Sequence, residues 1–272
     1  MTHTPAELNA LLERHGLQAR RALGQNFVVD PNTVRRIARL SGVGEGTPVV
    51  EIGPGLGSLT LALVELGAEV TAVEMDRGLV VALREIVEPL GVRVVEADAR
   101  EVDWERLLAD HPAWHLVANL PYNIATPLII DLLRDVPTLT TMLVMVQREV
   151  GERLAAAAGD SAVGIPSMLV AYHGQASVVG RVPATVFHPK PRVESVLVRI
   201  ERHSAPPVAQ PLDKIEPLIR RAYGQRRKML RRSLAGVVGA DVFEAAQVDP
   251  RARPETLDLA GWDRLACAIR SG

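Results

Sequence analysis

The chain has little of what several protein classes depend on. It holds one cysteine, Cys267, so no internal disulfide can form and no cysteine cluster can bind zinc. Its seven histidines are scattered, with only His111 and His115 at His-x-x-x-His spacing, and no metal is expected. Aromatic residues make up only 3% of the 272, three each of Trp, Tyr and Phe, so an aromatic in a loop is conspicuous. No apolar run approaches the ~18 residues of a membrane span, and Met1–Gly16 lacks the apolar stretch of a secretory signal. A cytoplasmic location without membrane contact is the expectation. Lysine is scarce as well: Lys190, Lys214 and Lys228 stand among 31 basic residues, and arginine supplies the rest.

What is present is the composition of a packed protein, 47% hydrophobic and 23% charged, which excludes a disordered or collagen-like chain. The net charge of −1 argues against a protein that coats nucleic acid, but the charge is uneven. Residues 204–272 carry 12 Lys+Arg against 8 Asp+Glu, a net of +4, which leaves −5 on the first 203 residues. Between Lys214 and Arg232 eight basic residues face Glu216 alone. Such asymmetry points to an anionic partner near the C-terminal segment.

From Thr47 to Ile200, short β-branched runs alternate with amphipathic stretches. Strands are predicted at Pro48–Ile52, Glu69–Glu74, Arg93–Glu96, His115–Asn119, Thr141–Gln147, Ser177–Val182 and Ser195–Glu201. Helical patterns at Leu59–Leu66, Leu79–Leu90 and Pro127–Asp135 separate the early ones. Alternation of this kind implies an α/β fold with parallel βαβ units in a doubly wound sheet, whose ligands sit at the strands' carboxyl ends. The last two runs have only Pro183–Arg192 between them and are expected to form an antiparallel edge. A proline-rich linker, His203–Pro211, precedes a helical tail, so the division expected is 1–203 and 204–272.

The first strand runs into Glu51-Ile52-Gly53-Pro54-Gly55-Leu56-Gly57-Ser58 ahead of a helix. Glycines there permit a tight turn and close approach of backbone to a ligand. The frame is G-x-G-x-G rather than G-x-G-x-x-G, because Ser58 occupies the third place of a dinucleotide fingerprint. No phosphate-gripping lysine follows. The second strand ends in Glu74, where a carboxylate can take a ribose hydroxyl pair, and the third runs into Glu96-Ala97-Asp98-Ala99, where one can take a purine amine. Together these suit an adenosyl group without a pyrophosphate. The competing reading is a plain tight turn with Glu74 and Asp98 as helix caps.

The fourth strand runs into Asn119-Leu120-Pro121-Tyr122. An exocyclic amine on an aromatic ring is a poor nucleophile, because its lone pair is delocalised into the ring. Acceptors such as the Asn119 side-chain oxygen and the Leu120 carbonyl can draw it toward a reactive geometry, while Tyr122 stacks on the base. The competing reading is an ordinary loop with a core tyrosine.

Taken in order, Glu-Ile-Gly-Pro-Gly-Leu-Gly, Val-Glu-Met-Asp, Ala-Asp-Ala and Asn-Leu-Pro-Tyr-Asn resemble the rRNA adenine N6-dimethyltransferase family, to which kasugamycin-sensitivity methyltransferases belong. Gly24-Gln25-Asn26-Phe27-Val28-Val29-Asp30 is similar to the family's cofactor-closing segment, with Val28 where Leu is usual. Phe187-His188-Pro189-Lys190-Pro191-Arg192-Val193-Glu194-Ser195 is similar to its Phe-x-Pro-x-Pro-x-Val-x-Ser loop. The resemblance implies a Rossmann-like, mostly parallel seven-stranded methyltransferase sheet with a C-terminal helical domain for RNA. It implies S-adenosyl-L-methionine as cofactor, with Gln25, Asn26 and Val28 over the methionine part and Gly53 and Gly55 approaching through backbone. Glu74 then takes the ribose, Asp98 with Ala99 the adenine, and Asn119 lies between cofactor and target amine. Leu120 and Tyr122 complete the acceptor site, with Phe187 on the other face of the base.

The substrate implied is 16S rRNA of the immature small subunit, dimethylated at two adjacent adenines by a monomer during ribosome biogenesis. A 23S rRNA methylase of the macrolide-resistance type and a ribosome-biogenesis binding factor are the alternatives. Read as one helix at about 100° per residue, residues 218–232 place Arg220, Arg221, Arg227, Lys228, Arg231 and Arg232 on one face for RNA. Leu218, Ile219, Ala222, Met229 and Leu230 fall opposite. Cys267 reads as a packed small hydrophobe.

Overall fold

The computed structural model describes residues 2–18 and 25–270. Their strands are β1 (Phe27–Val28), β2 (Pro48–Ile52), β3 (Glu69–Glu74), β4 (Arg93–Glu96), β5 (Trp114–Asn119), β6 (Leu139–Gln147), β7 (Gly174–Val182), β8 (Phe187–His188) and β9 (Ser195–Arg202). The α-helices are α1 (Pro5–Arg14), α2 (Pro31–Leu40), α3 (Ser58–Glu65), α4 (Arg77–Val87), α5 (Trp104–Leu107), α6 (Ala125–Asp135), α7 (Arg148–Leu154), α8 (Ile165–His173), α9 (Leu212–Tyr223), α10 (Leu230–Ser233), α11 (Ala240–Ala245) and α12 (Leu259–Arg270). None of these helices is long and apolar enough to cross a membrane.

The chain forms two compact units, Met1–Gly151 with Ser177–Arg202, and Glu152–Ala176 with His203–Gly272. The expected division at residue 203 therefore differs from the structure over residues 152–176. The reason lies in α8, whose Met168 and Tyr172 share a core with Ile215, Leu218 and Trp262 of the helical unit. Its position between two strands gives it the sequence context of a crossover helix.

The first unit holds a seven-stranded sheet in the order β4-β3-β2-β5-β6-β9-β7. Strands β4 through β6 are parallel, and β9 runs antiparallel to β6. Val49, Val50, Leu116 and Val117 are buried to 1% exposure or less, as expected of parallel strands covered on both faces. The chain runs outward from β2 to β4 and returns through β5 on the other side of β2. That reversal opens a crevice at the carboxyl ends of β2 and β5. The seven expected strands are all present; β5, β6 and β7 begin one to three residues earlier than their patterns suggest.

Two features of this unit go beyond the sequence reading. Strands β1 and β8 pair antiparallel, Phe27 with His188 and Val28 with Phe187. The polar N-terminal stretch contains α1, whose Thr4–Glu7 capping box satisfies its first N–H groups. Leu8 and Leu12, one turn apart, bury that helix against Phe27, Leu56 and Leu79.

In the helical unit, Ile215, Ile219, Leu230, Leu234, Trp262 and Leu265 are completely buried. The single basic helix expected over 218–232 is corrected here. Helix α9 stops at Tyr223, residues 224–229 turn, and α10 starts at Leu230. Gly224 closes α9 through its N–H to the Arg220 and Ala222 carbonyls. Met229, assigned to the apolar face, is 40% exposed because it caps α10 rather than continuing α9. Cys267 is also exposed: on α12 the buried face is Trp262, Leu265 and Ala266, and the next residue is rotated about 100° away from it.

Candidate active site

The turn after β2 is left-handed at Gly53, Gly55 and Gly57, with φ of +70°, +60° and +81°. At Gly55 a Cβ would stand 2.8 Å from the Phe27 ring, and at Gly57 it would stand 2.9 Å from Leu83. Both positions therefore need glycine for space as well as conformation. Gly57 also serves as the cap of α3.

Acidic side chains surround this turn. Glu74 ends β3, is 6% exposed, and accepts the Gly55 N–H at 3.1 Å on Oε2 and the Asp76 N–H at 2.9 Å on Oε1. Burial pushes its carboxyl up from the ordinary range, against the pull of those backbone donors. Glu51, on β2, is buried and accepts the Thr60 hydroxyl at 2.6 Å. Burial pushes Glu51 up to about 8; the Thr60 bond opposes this and the nearby Glu74 adds to it. Asp98, past β4, is held low by Arg100, whose Nη2 donates at 2.6 Å and whose backbone N–H donates at 2.9 Å. Neither Glu74 nor Asp98 is a helix cap. Asp76 caps α4 by accepting from Gly78, and Asp103 caps α5 by accepting from Arg106.

At the end of β5, Asn119 Nδ2 donates to the Asn26 carbonyl at 3.0 Å, which turns Oδ1 the other way. The Leu120 N–H donates to the Met145 carbonyl at 3.2 Å, and the Leu120 side chain is buried. The Tyr122 hydroxyl lies 2.8 Å from Ser195 Oγ. Burial raises the Tyr122 phenol above its usual range, and the Ser195 bond offsets part of that.

These elements line one open cleft at the carboxyl ends of the strands. Gln25, Asn26, Val28, Gly53, Gly55, Glu74, Asp98, Ala99 and Asn119, the whole set expected at the cofactor, line it. Gly24, quoted in the same motif, lies outside the described residues. Of the residues expected at the target base, Asn119 lines the cleft, whereas Leu120, Tyr122 and Phe187 do not. Phe187 is 4% exposed and packs in one cluster with Val28 and Leu197, on the strand β8 that pairs with β1. The expected RNA residues belong to the helical unit. There Arg220 pairs with Glu216 at 2.6 Å and Arg221 donates to the Ala235 carbonyl at 2.6 Å. Arg227, Lys228, Arg231 and Arg232 are exposed, with no ion pair among the described residues.

Sequence reasoning left several lining residues unassigned: Phe27, Glu51, Met75 and Pro121 among them. Glu51 was visible as the acid before the glycine turn, and Phe27 as an aromatic beside Asn26. Among the described residues, the cleft takes its charged side chains from Glu51, Glu74 and Asp98. Acceptors at neighbouring strand ends suit a ligand with several hydroxyl and amine donors, as an adenosyl group has. Among the described residues, no group of three or more His, Cys, Asp and Glu side chains is placed to hold a metal ion.

Comparison with known proteins agrees with this geometry. The profile of the family described as ribosomal RNA adenine dimethylase matches residues 16–266. A protein named ribosomal RNA small subunit methyltransferase A, from Nocardia farcinica, is 47% identical, with 96% of this chain and 94% of that one covered. Its namesake in Phenylobacterium zucineum is 44% identical, covering 96% and 92%. Among solved structures, the 23S rRNA methyltransferase ErmE superimposes with a TM-score of 0.71 at 25% identity, over 90% of this chain and 99% of that one. A dimethyladenosine transferase from Plasmodium falciparum shares the fold, with a TM-score of 0.75 at 24% identity over 87% and 94%. With a family match over residues 16–266 and relatives above two-fifths identity, this chain belongs to the ribosomal RNA adenine dimethylase family.

Proposed function

We propose that this chain is an S-adenosylmethionine-dependent methyltransferase that dimethylates N6 of two adjacent adenines near the 3′ end of 16S rRNA in the small subunit. The observation that carries the reading is the convergence of the glycine turn, Glu74, Asp98 and Asn119 at neighbouring strand ends around one cleft. The small-subunit target is supported by relatives of that name at 44–47% identity, against 25% for the 23S rRNA enzyme.

S-adenosylmethionine supplies an electrophilic methyl group on a sulfonium centre. Gln25, Asn26 and Val28 cover its methionine part, and Gly53 and Gly55 leave backbone room for it. Glu74 receives the ribose hydroxyls on lone pairs its two backbone donors leave open. Asp98, kept ionised by Arg100, accepts from the adenine amine beside Ala99. Asn119 Oδ1 and the Leu120 carbonyl accept from the target N6–H groups, which holds the nitrogen's lone pair out of ring conjugation and available for attack. Tyr122 provides the stacking surface for a base that must leave its own stack to enter. Phe187, on β8 beside β1, is the residue proposed for the other face of the base.

The exposed Arg227, Lys228 and Arg231, with Arg220 and Arg221 beside them, are the proposed contacts to RNA phosphates. They read backbone charge, not sequence. The cytoplasm is the proposed compartment and the monomer the proposed form. Asn119→Ala tests the central step. Methyl transfer should fall by about 10²–10³-fold, the usual cost of removing one preorganised polar partner, while filter binding to small subunits is retained. Transfer at wild-type rate would remove Asn119 from the chemistry.

A further inference from the structure

The polar side chains of the Asn119–Tyr122 turn are both tethered from outside it. Asn119 is held by the Asn26 carbonyl and the Tyr122 hydroxyl by Ser195 Oγ, 73 residues further along the chain. The two tethers come from segments that are themselves paired. Asn26 immediately precedes β1, Ser195 ends the loop that follows β8, and β1 lies against β8.

Ser195 is the less explained member of this arrangement. It opens β9 opposite Gln147 of β6 and is 0% exposed. The residues that follow it, Val196, Leu197 and Val198, are buried and apolar. A hydroxyl in such a setting is costly unless hydrogen-bonded, and an alanine would avoid that cost. The partner the structure gives it is the Tyr122 hydroxyl. That atom is the tip of the ring, the point farthest from the backbone, where one bond gives the greatest control over tilt.

We propose that Ser195 is a positioning residue for methyl transfer: it fixes the tilt of the Tyr122 ring and so the plane of the base stacked on it. The proposal rests on the functional reading above and deepens it. A base that tilts with its platform carries N6 away from Asn119 Oδ1, so loosening the ring slows the chemical step without weakening the grip on RNA. The loop from β8 to Ser195 thereby acts on the reaction through a partly buried bond.

The test uses the full-length protein with small subunits from cells lacking the modification. Ser195→Ala, Tyr122→Phe and the double variant are compared for labelled methyl transfer in steady-state and single-turnover assays. Each single variant should lower kcat about tenfold, less than the ~10²-fold attributed to a 1 Å misplacement, with KM for subunits and cofactor affinity unchanged. The double variant should be no slower than either single one, because both remove the same bond. Ser195→Thr, which keeps the hydroxyl, should recover most of the rate. Losses that multiply in the double variant, or a raised KM at unchanged kcat, would overturn the proposal. Tyr122→Phe keeps the ring and its packing, so it decides the matter even if a change at buried Ser195 disturbs the fold.

A second readout does not depend on activity. The chain has three tyrosines, and in ring-labelled protein Ser195→Ala should move the Tyr122 resonances while leaving those of Tyr172 and Tyr223 in place. No movement of Tyr122 sinks the tether whatever the rates. Movement of Tyr122 in an enzyme whose wild type labels no adenine would leave the tether standing and overturn the functional reading, and with it the role given to Ser195.

Discussion

Charged side chains are used in opposite ways in the two units. In the sheet unit the acids at the cleft are few and inward. Glu51 and Glu74 are buried, and Glu74 is fixed by two backbone N–H groups. In the helical unit the basic groups are many and outward, and Arg227, Lys228, Arg231 and Arg232 have no acidic partner among the described residues. The first arrangement spends burial to hold one ligand shape. The second keeps long, solvated side chains that can follow a phosphate backbone of variable shape. The lesson is that a rigid frame belongs where a single atom must be positioned, and a pliant charged surface where a polyanion must be held.

The contrast breaks most sharply at Glu74. Glu74→Ala removes a buried acceptor and should weaken S-adenosylmethionine binding by about 10–100-fold, the value of a charged hydrogen bond. Isothermal titration measures this directly, and unchanged affinity would remove Glu74 from the ribose. Gly55→Ala acts on the same frame through backbone. Its Cβ meets Phe27 in a left-handed conformation, at a cost of about 1–3 kcal/mol. A lower Tm together with weaker cofactor binding is expected, since Gly55 also donates to Glu74.

In the helical unit the comparison predicts gradual effects. Arg227→Glu and Lys228→Glu should each weaken RNA binding several-fold at low salt and reduce the salt slope by about one. Cofactor affinity should not change. A loss of cofactor binding would mean that the surface is not the separate electrostatic element described here.

A further expected effect concerns pH. The folded protein keeps the proton on Glu51 up to about pH 8, whereas the unfolded chain releases it near its ordinary value of 4.5. The unfolded state therefore binds fewer protons across that window, and stability falls as pH rises through it. Glu51→Gln should flatten that decline in a series of denaturant melts. An unaltered pH profile would show that Glu51 is not held protonated.

The same contrast explains how much was legible beforehand. Strands β2 to β6 were readable because buried parallel strands leave β-branched runs, and the cofactor residues followed because each sits at the end of such a run. Gly53, Glu74, Asp98 and Asn119 thus came together from strand order alone. The burial of Phe187 was not legible because its two-residue strand carries no period. The basic segment was misjudged because a helical wheel assumes continuity, which the turn after Tyr223 breaks. Helix α1 was missed although Thr4, Glu7, Leu8 and Leu12 together spell a capped amphipathic start. The Ser195 tether was invisible because nothing in linear order joins residues 122 and 195.

The measurement that tests the central claim most directly is transfer of labelled methyl from S-adenosylmethionine to small and large subunits isolated from cells lacking the modification. The account predicts label in the small subunit alone, recovered as N6,N6-dimethyladenosine at two adjacent positions near the 3′ end of 16S rRNA. Label confined to large-subunit RNA, or tight subunit binding with no label anywhere, would contradict it.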